Sequence, residues 1–61
     1  MAHLIGHWRK FENKYYKAWR SFKRKKEAQG YTKDRRIYGD KARITKEKNP
    51  QGGYEYYIWL G

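Results

Sequence analysis

The sequence predicts an α+β fold: one long N-terminal amphipathic helix packed on a three-stranded antiparallel β-meander. Three observations predict it. Large apolar residues recur at three- and four-residue intervals through the first third of the chain. After Gly30 that period gives way to alternation of apolar and polar residues. Turn-forming residues at Gly39-Asp40 and at Asn49-Pro50-Gln51-Gly52-Gly53 then cut the remainder into three strand-length pieces.

The helix is expected over residues 7–28. Gly6 precedes it, Gly30 is a natural stop, and no proline interrupts it. At about 100° per residue, Leu4, Trp8, Phe11, Tyr15, Ala18, Trp19 and Phe22 fall in one sector of roughly 100°. That stripe reads as the core-facing side. Strands are expected at residues 35–38, 41–48 and 54–60, with Gly39-Asp40 as a two-residue hairpin turn. In that meander Ala42 and Ile44 face the helix together with Tyr56, Ile58 and Leu60. Tyr57 and Trp59 then point to the opposite face, as an exposed stacking platform or a second small core.

Size limits what the chain can do. Its 61 residues make a single domain, 1–61, with a small core. There is no cysteine, so neither disulfides nor a thiolate zinc site can brace it. Aliphatic residues are few and valine is absent, which leaves Trp, Tyr and Phe to build the interior. No stretch is long and apolar enough for a membrane span, and no signal-peptide core is visible, so a cytoplasmic protein with no membrane partner is expected.

Charge is the strongest functional signal. Sixteen lysines and arginines face six acids, a net charge of +10. Residues 1–36 hold twelve of those cations and three acids, a net +9, and residues 37–61 hold only +1. On the helical wheel Arg9, Lys10, Lys14, Lys17, Arg20, Lys23, Arg24 and Lys25 occupy about 160° opposite the aromatic stripe. A merely solvated face mixes signs, because like charges at i,i+4 oppose a helix. The run Lys23 to Lys26 falls at the expected helix C-terminus, where cations suit the macrodipole. Tyr31, Lys33, Arg35, Arg36 and Tyr38 extend the basic-aromatic pattern, although Tyr31 and Tyr38 can equally pack over the helix end.

These features point to nucleic acid, with RNA favoured over DNA. Lysine-dominated contact positions a protein on phosphates and does not read base edges. The expected nucleic-acid-binding residues are therefore Arg9, Lys10, Lys14, Lys17, Arg20, Lys23, Arg24, Lys25, Lys26, Lys33, Arg35 and Arg36, with Tyr31, Tyr38, Tyr57 and Trp59 as rings. The composition suits a small ribosomal or other ribonucleoprotein component, in contact with RNA and with neighbouring proteins. The alternative is a small DNA-binding protein, winged-helix-like or chromosomal. A winged helix needs two short helices ahead of its wing, and one unbroken helix is expected there.

Enzymatic chemistry finds little footing. Ser21 is the lone serine, no nucleophile–base pair is visible, and Gly52-Gly53 is placed between strands, not before a helix. His3 and His7 share a helical spacing without a third ligand, and Met1-Ala2-His3 resembles a copper-binding amino terminus. No catalytic role, metal or cofactor is expected.

Overall fold

The computed structural model describes residues 3–61. It contains β1 (Trp8–Phe11), β2 (Lys14–Phe22), α1 (Lys25–Ile37), β3 (Ala42–Lys48) and β4 (Tyr54–Leu60). The four strands form one antiparallel sheet in the order β1-β2-β4-β3. This overturns the expected long helix on a three-stranded meander. Residues 8–22 are two strands, the helix follows them, and residues 35–37 are its last turn and not a strand.

Local chemistry accounts for the change. Glu12 and Asn13 both take positive φ, 48° and 70°, between the paired residues Phe11 and Lys14. Two left-handed residues in a row make a type I′ connection, whose twist matches an antiparallel hairpin. The flanking Trp, Tyr and Phe residues favour a pleated, half-buried surface over a helix. The apparent helical period arises from two phase shifts. The turn resets the alternation once, and a bulge resets it again, because pairing runs from Ala18–Trp59 directly to Arg20–Ile58 and leaves Trp19 as the extra residue.

The helix is short and largely polar. It starts after Arg24, whose φ of −110° and ψ of 133° are those of an N-cap residue. Gly30, expected to stop a helix, lies inside this one, at a cost of about 0.5–1 kcal/mol relative to alanine. Gly39 ends it. At φ +90° it donates to the Arg36 carbonyl at 3.0 Å, while the Asp40 amide donates to the Arg35 carbonyl at 3.0 Å. Those two bonds are a Schellman cap, which needs a left-handed residue at that position.

The turn at residues 49–53 and the last strand coincide with expectation. Asn49 Oδ1 accepts from the amides of Gln51 and Gly53, both at 3.0 Å. Gly52 has φ +98°. Ala42 pairs with Leu60 and Ile44 with Ile58 on the side that carries α1. From the helix, Ala28 and Thr32 are buried, and Tyr31 packs on Phe22 with ring centroids 5.6 Å apart.

The sheet curls around its other face. Arg9 on β1 reaches Glu47 on β3 at 2.8 Å, and Arg43 on β3 reaches Glu12 at 2.6 Å, so opposite edges of the sheet meet across this concave side. Inside lie Tyr16, Ala18, Tyr57 and Trp59, with Leu4 and Phe11 packed against them. Trp59 donates its indole N–H to Thr45 Oγ1 at 2.6 Å, and Tyr57 Oη donates to Glu55 Oε1 at 3.3 Å. Burial pushes the Tyr57 phenol above its ordinary pKa.

Candidate nucleic-acid interface

Of the two places open to Tyr57 and Trp59, an exposed platform or a second small core, they take the second: they are the centre of the concave core, with 0% and 1% of their surface exposed. The helical stripe places Trp8, Tyr15 and Trp19 in the core, yet they are 63%, 64% and 54% exposed. Strand geometry explains this. Trp8 pairs with Lys17 and Lys10 pairs with Tyr15, so all four side chains emerge on the convex side of the β1–β2 hairpin. The bulge turns Trp19 to that side as well, next to Lys17.

Cations and rings alternate across this surface. Lys10 Nζ lies 5.9 Å from the centroid of Tyr15. Lys17 Nζ lies 5.8 Å from Trp8 and 5.3 Å from Trp19, within reach of both indoles. Arg20 continues the series, 5.5 Å from Tyr31 on the helix. Contacts of this length are cation–π interactions worth about 0.5–1 kcal/mol at exposed sites. Neither the Trp8 nor the Trp19 indole N–H donates a hydrogen bond to another described residue.

Between hairpin and helix the surface deepens into a cleft of about 570 Å³, walled by Trp8, Trp19 and Tyr31 and reaching Arg35 and Asp40. Arg35 Nη2 lies 2.6 Å from Asp40 Oδ2, an ion pair without hydrogen-bond alignment, and the sealed Arg35 Nε has no acceptor among the described residues.

The expected cations separate into groups. Lys10, Lys17 and Arg20 stand on the ring face. Lys23, Arg24, Lys25 and Lys26 are exposed at the N-terminus of α1, not at a C-terminus, so the macrodipole opposes them. Arg24 supplies no side-chain cap there. Lys33 is exposed along the helix.

Other expected cations are occupied within the fold. Arg9 pairs with Glu47 and lies 4.5 Å over the Trp59 ring. Its guanidinium holds the Glu47 carboxyl below the ordinary glutamate value. Arg35 pairs with Asp40, and Arg36 donates to the Ala42 carbonyl at 2.9 Å. Lys14 emerges on the concave side next to Lys41, and the two ammonium groups are close enough to lower the Lys14 pKa. No single helix face gathers the charge, because no helix covers residues 9–24.

Of the remaining rings, Tyr38 is 80% exposed just past the helix, and Tyr31 is half-buried against Phe22. The helical spacing of His3 and His7 does not exist here. His3 Nδ1 instead lies 3.3 Å from Tyr57 Oη, while Met1 and Ala2 lie outside the described residues. The sequence reading missed Trp8, Tyr15 and Trp19 as surface rings. Asn13, a favoured left-handed turn residue between two aromatic runs, is the signal that could have exposed them.

Compared with known proteins, the chain matches no family model, no curated protein and no solved structure. No helix among the described residues is long and apolar enough to cross a membrane.

Proposed function

We propose that this protein binds nucleic acid, RNA in preference to DNA, as a structural component of a ribonucleoprotein in the cytoplasm. One observation carries the reading: three large exposed rings, Trp8, Tyr15 and Trp19, share a face with Lys10, Lys17 and Arg20. Stacking on such rings is worth about 1–3 kcal/mol per base, and cations at ring height meet the phosphates. The cations at the start of α1 support the reading from a second side. They are unfavourable there in the free protein, and phosphates would relieve them. RNA is favoured because its loops and ends present unstacked bases, which a sheet surface with aromatic rings can engage.

Small chromosomal DNA binding is the second reading. Apolar rings projecting from a sheet can also wedge between base steps in a minor groove. The test is binding of structured RNA and of random duplex DNA over a series of salt concentrations. RNA should bind more tightly at every salt concentration, with a steep linear fall in log affinity. Lys10→Gln with Lys17→Gln should reduce the slope by roughly 0.7–0.9 for each phosphate no longer neutralised. Tighter binding to duplex DNA would transfer the reading to DNA. No affinity for either at low salt would end it.

A further inference from the structure

We infer that the β1–β2 face takes unpaired nucleotides, with bases on Trp8 and Trp19 and the phosphate between them held by Lys17. The inference rests on the nucleic-acid reading and narrows its substrate to single strands. The geometry is specific to this hairpin. Trp8 lies directly across from Lys17, and Trp19 stands beyond Lys17 on the same side, brought there by the bulge. The lysine ammonium therefore lies over both indoles, 5.8 Å from one centroid and 5.3 Å from the other. A cation shared by two flat apolar surfaces matches a nucleic-acid strand, in which each phosphate joins two bases.

An undistorted duplex does not offer this arrangement. Its base faces are stacked on each other, so only its backbone and base edges meet the protein, and the indoles reach a base face only by wedging a step open at an unstacking cost. Unpaired bases present their faces freely, and each can cover a ring that is more than half exposed in the free protein. The cleft beside the pair, bounded by Tyr31 and Arg35, gives the strand a continuation toward the helix. Charge complementarity selects a polyanion, since the chain carries +10. The rings then select among polyanions for one with free planar bases.

The test compares three ligands by fluorescence anisotropy at one salt concentration, about 150 mM. They are a labelled single-stranded RNA of mixed sequence without self-complementarity, the same strand annealed to its complement, and poly-glutamate. Each is titrated with the wild type, with Trp8→Ala/Trp19→Ala and with Trp8→Phe/Trp19→Phe. The single strand should bind at least about tenfold more tightly than the duplex. Loss of both indoles should weaken single-strand binding by roughly 5- to 140-fold per ring while leaving duplex binding within about twofold. The phenylalanine pair should restore most of the loss, and matching far-UV circular dichroism and thermal melts establish that all three proteins are folded. Duplex binding as tight as the single strand, or ring loss that weakens both equally, overturns this inference and leaves the nucleic-acid reading standing. Poly-glutamate binding as tight as the RNA, or no binding of either RNA form, overturns both.

Discussion

Replacing Arg24 by serine should stabilise the protein while weakening its grip on nucleic acid. Arg24 occupies the N-cap of α1 with suitable dihedrals but without a capping hydrogen bond. It also stands beside Lys23, Lys25 and Lys26 at the positive end of the helix dipole. Serine supplies the missing acceptor, worth about 1 kcal/mol at this position. Glu27 already stands three residues later, so Arg24→Ser completes a capping box. Removing a cation from the positive end adds roughly 0.3–1 kcal/mol at low salt.

The total is about 1–2 kcal/mol, which in a domain of this size raises Tm by roughly 5–15 °C. Thermal unfolding followed by circular dichroism reads it directly. Added salt should remove the dipole share and leave the capping share. In parallel, the salt slope of RNA binding should fall by roughly 0.7–0.9 if Arg24 contacts a phosphate. The sign refutes or sustains the reasoning. In a helix spanning residues 7–28, Arg24 would stand in the last turn, where loss of a cation and of helix propensity lowers stability. An unchanged or lower Tm for Arg24→Ser contradicts a helix that begins at Lys25.

Other expectations follow from single contacts. Gly30→Ala should raise stability by about 0.5–1 kcal/mol in denaturant titrations, because an added Cβ meets open space in mid-helix. Trp59→Ala should cost roughly 3–5 kcal/mol and abolish the cooperative transition of so small a domain, whereas Trp19→Ala should shift it little. Glu47→Gln should lower stability at neutral pH by no more than about 1 kcal/mol, since both partners are partly in solvent. The folded-state pKa of Glu47 is lowered, so its contribution is present above the unfolded glutamate value of about 4.3 and lost as pH falls through the folded value. Wild type and Glu47→Gln should therefore converge in acid. A difference that persists well below that window would contradict the Arg9–Glu47 account.

The second half of the chain was the more legible. Its turn at Asn49–Gly53 and the strand beyond rest on local chemistry, an Asx-type hydrogen-bond pattern and a short aromatic and apolar run from Tyr54 to Leu60 bounded by turn residues. Gly39 reads as punctuation and as a hairpin turn, but a left-handed glycine ends helices as readily as it turns hairpins, and here it ends α1. The first half was opaque because two irregularities together imitate a helical period. Glu12 carries no strong left-handed preference to mark its turn, and nothing local announces a bulge at Trp19. The true helix hides for the opposite reason: it holds Gly30 and buries only Ala28 and Thr32 fully, so its amphipathic stripe is faint. For the site, the charged residues were legible as an inventory, whereas their grouping was not. Arg9, Arg35 and Arg36 read as free cations until their partners Glu47, Asp40 and the Ala42 carbonyl come together in the fold.

Tryptophan emission during titration with single-stranded RNA tests the central claim most directly. Trp8 and Trp19 are 63% and 54% exposed on the proposed contact face, while Trp59 is 1% exposed on the concave side of the sheet. Base stacking quenches indole emission, so saturation should remove the long-wavelength share from Trp8 and Trp19 and leave the blue-shifted emission of Trp59. Trp8→Phe and Trp19→Phe should each delete part of the quenchable signal. Saturable RNA binding that leaves the emission of all three indoles unchanged would place the ligand on another surface and contradict the account.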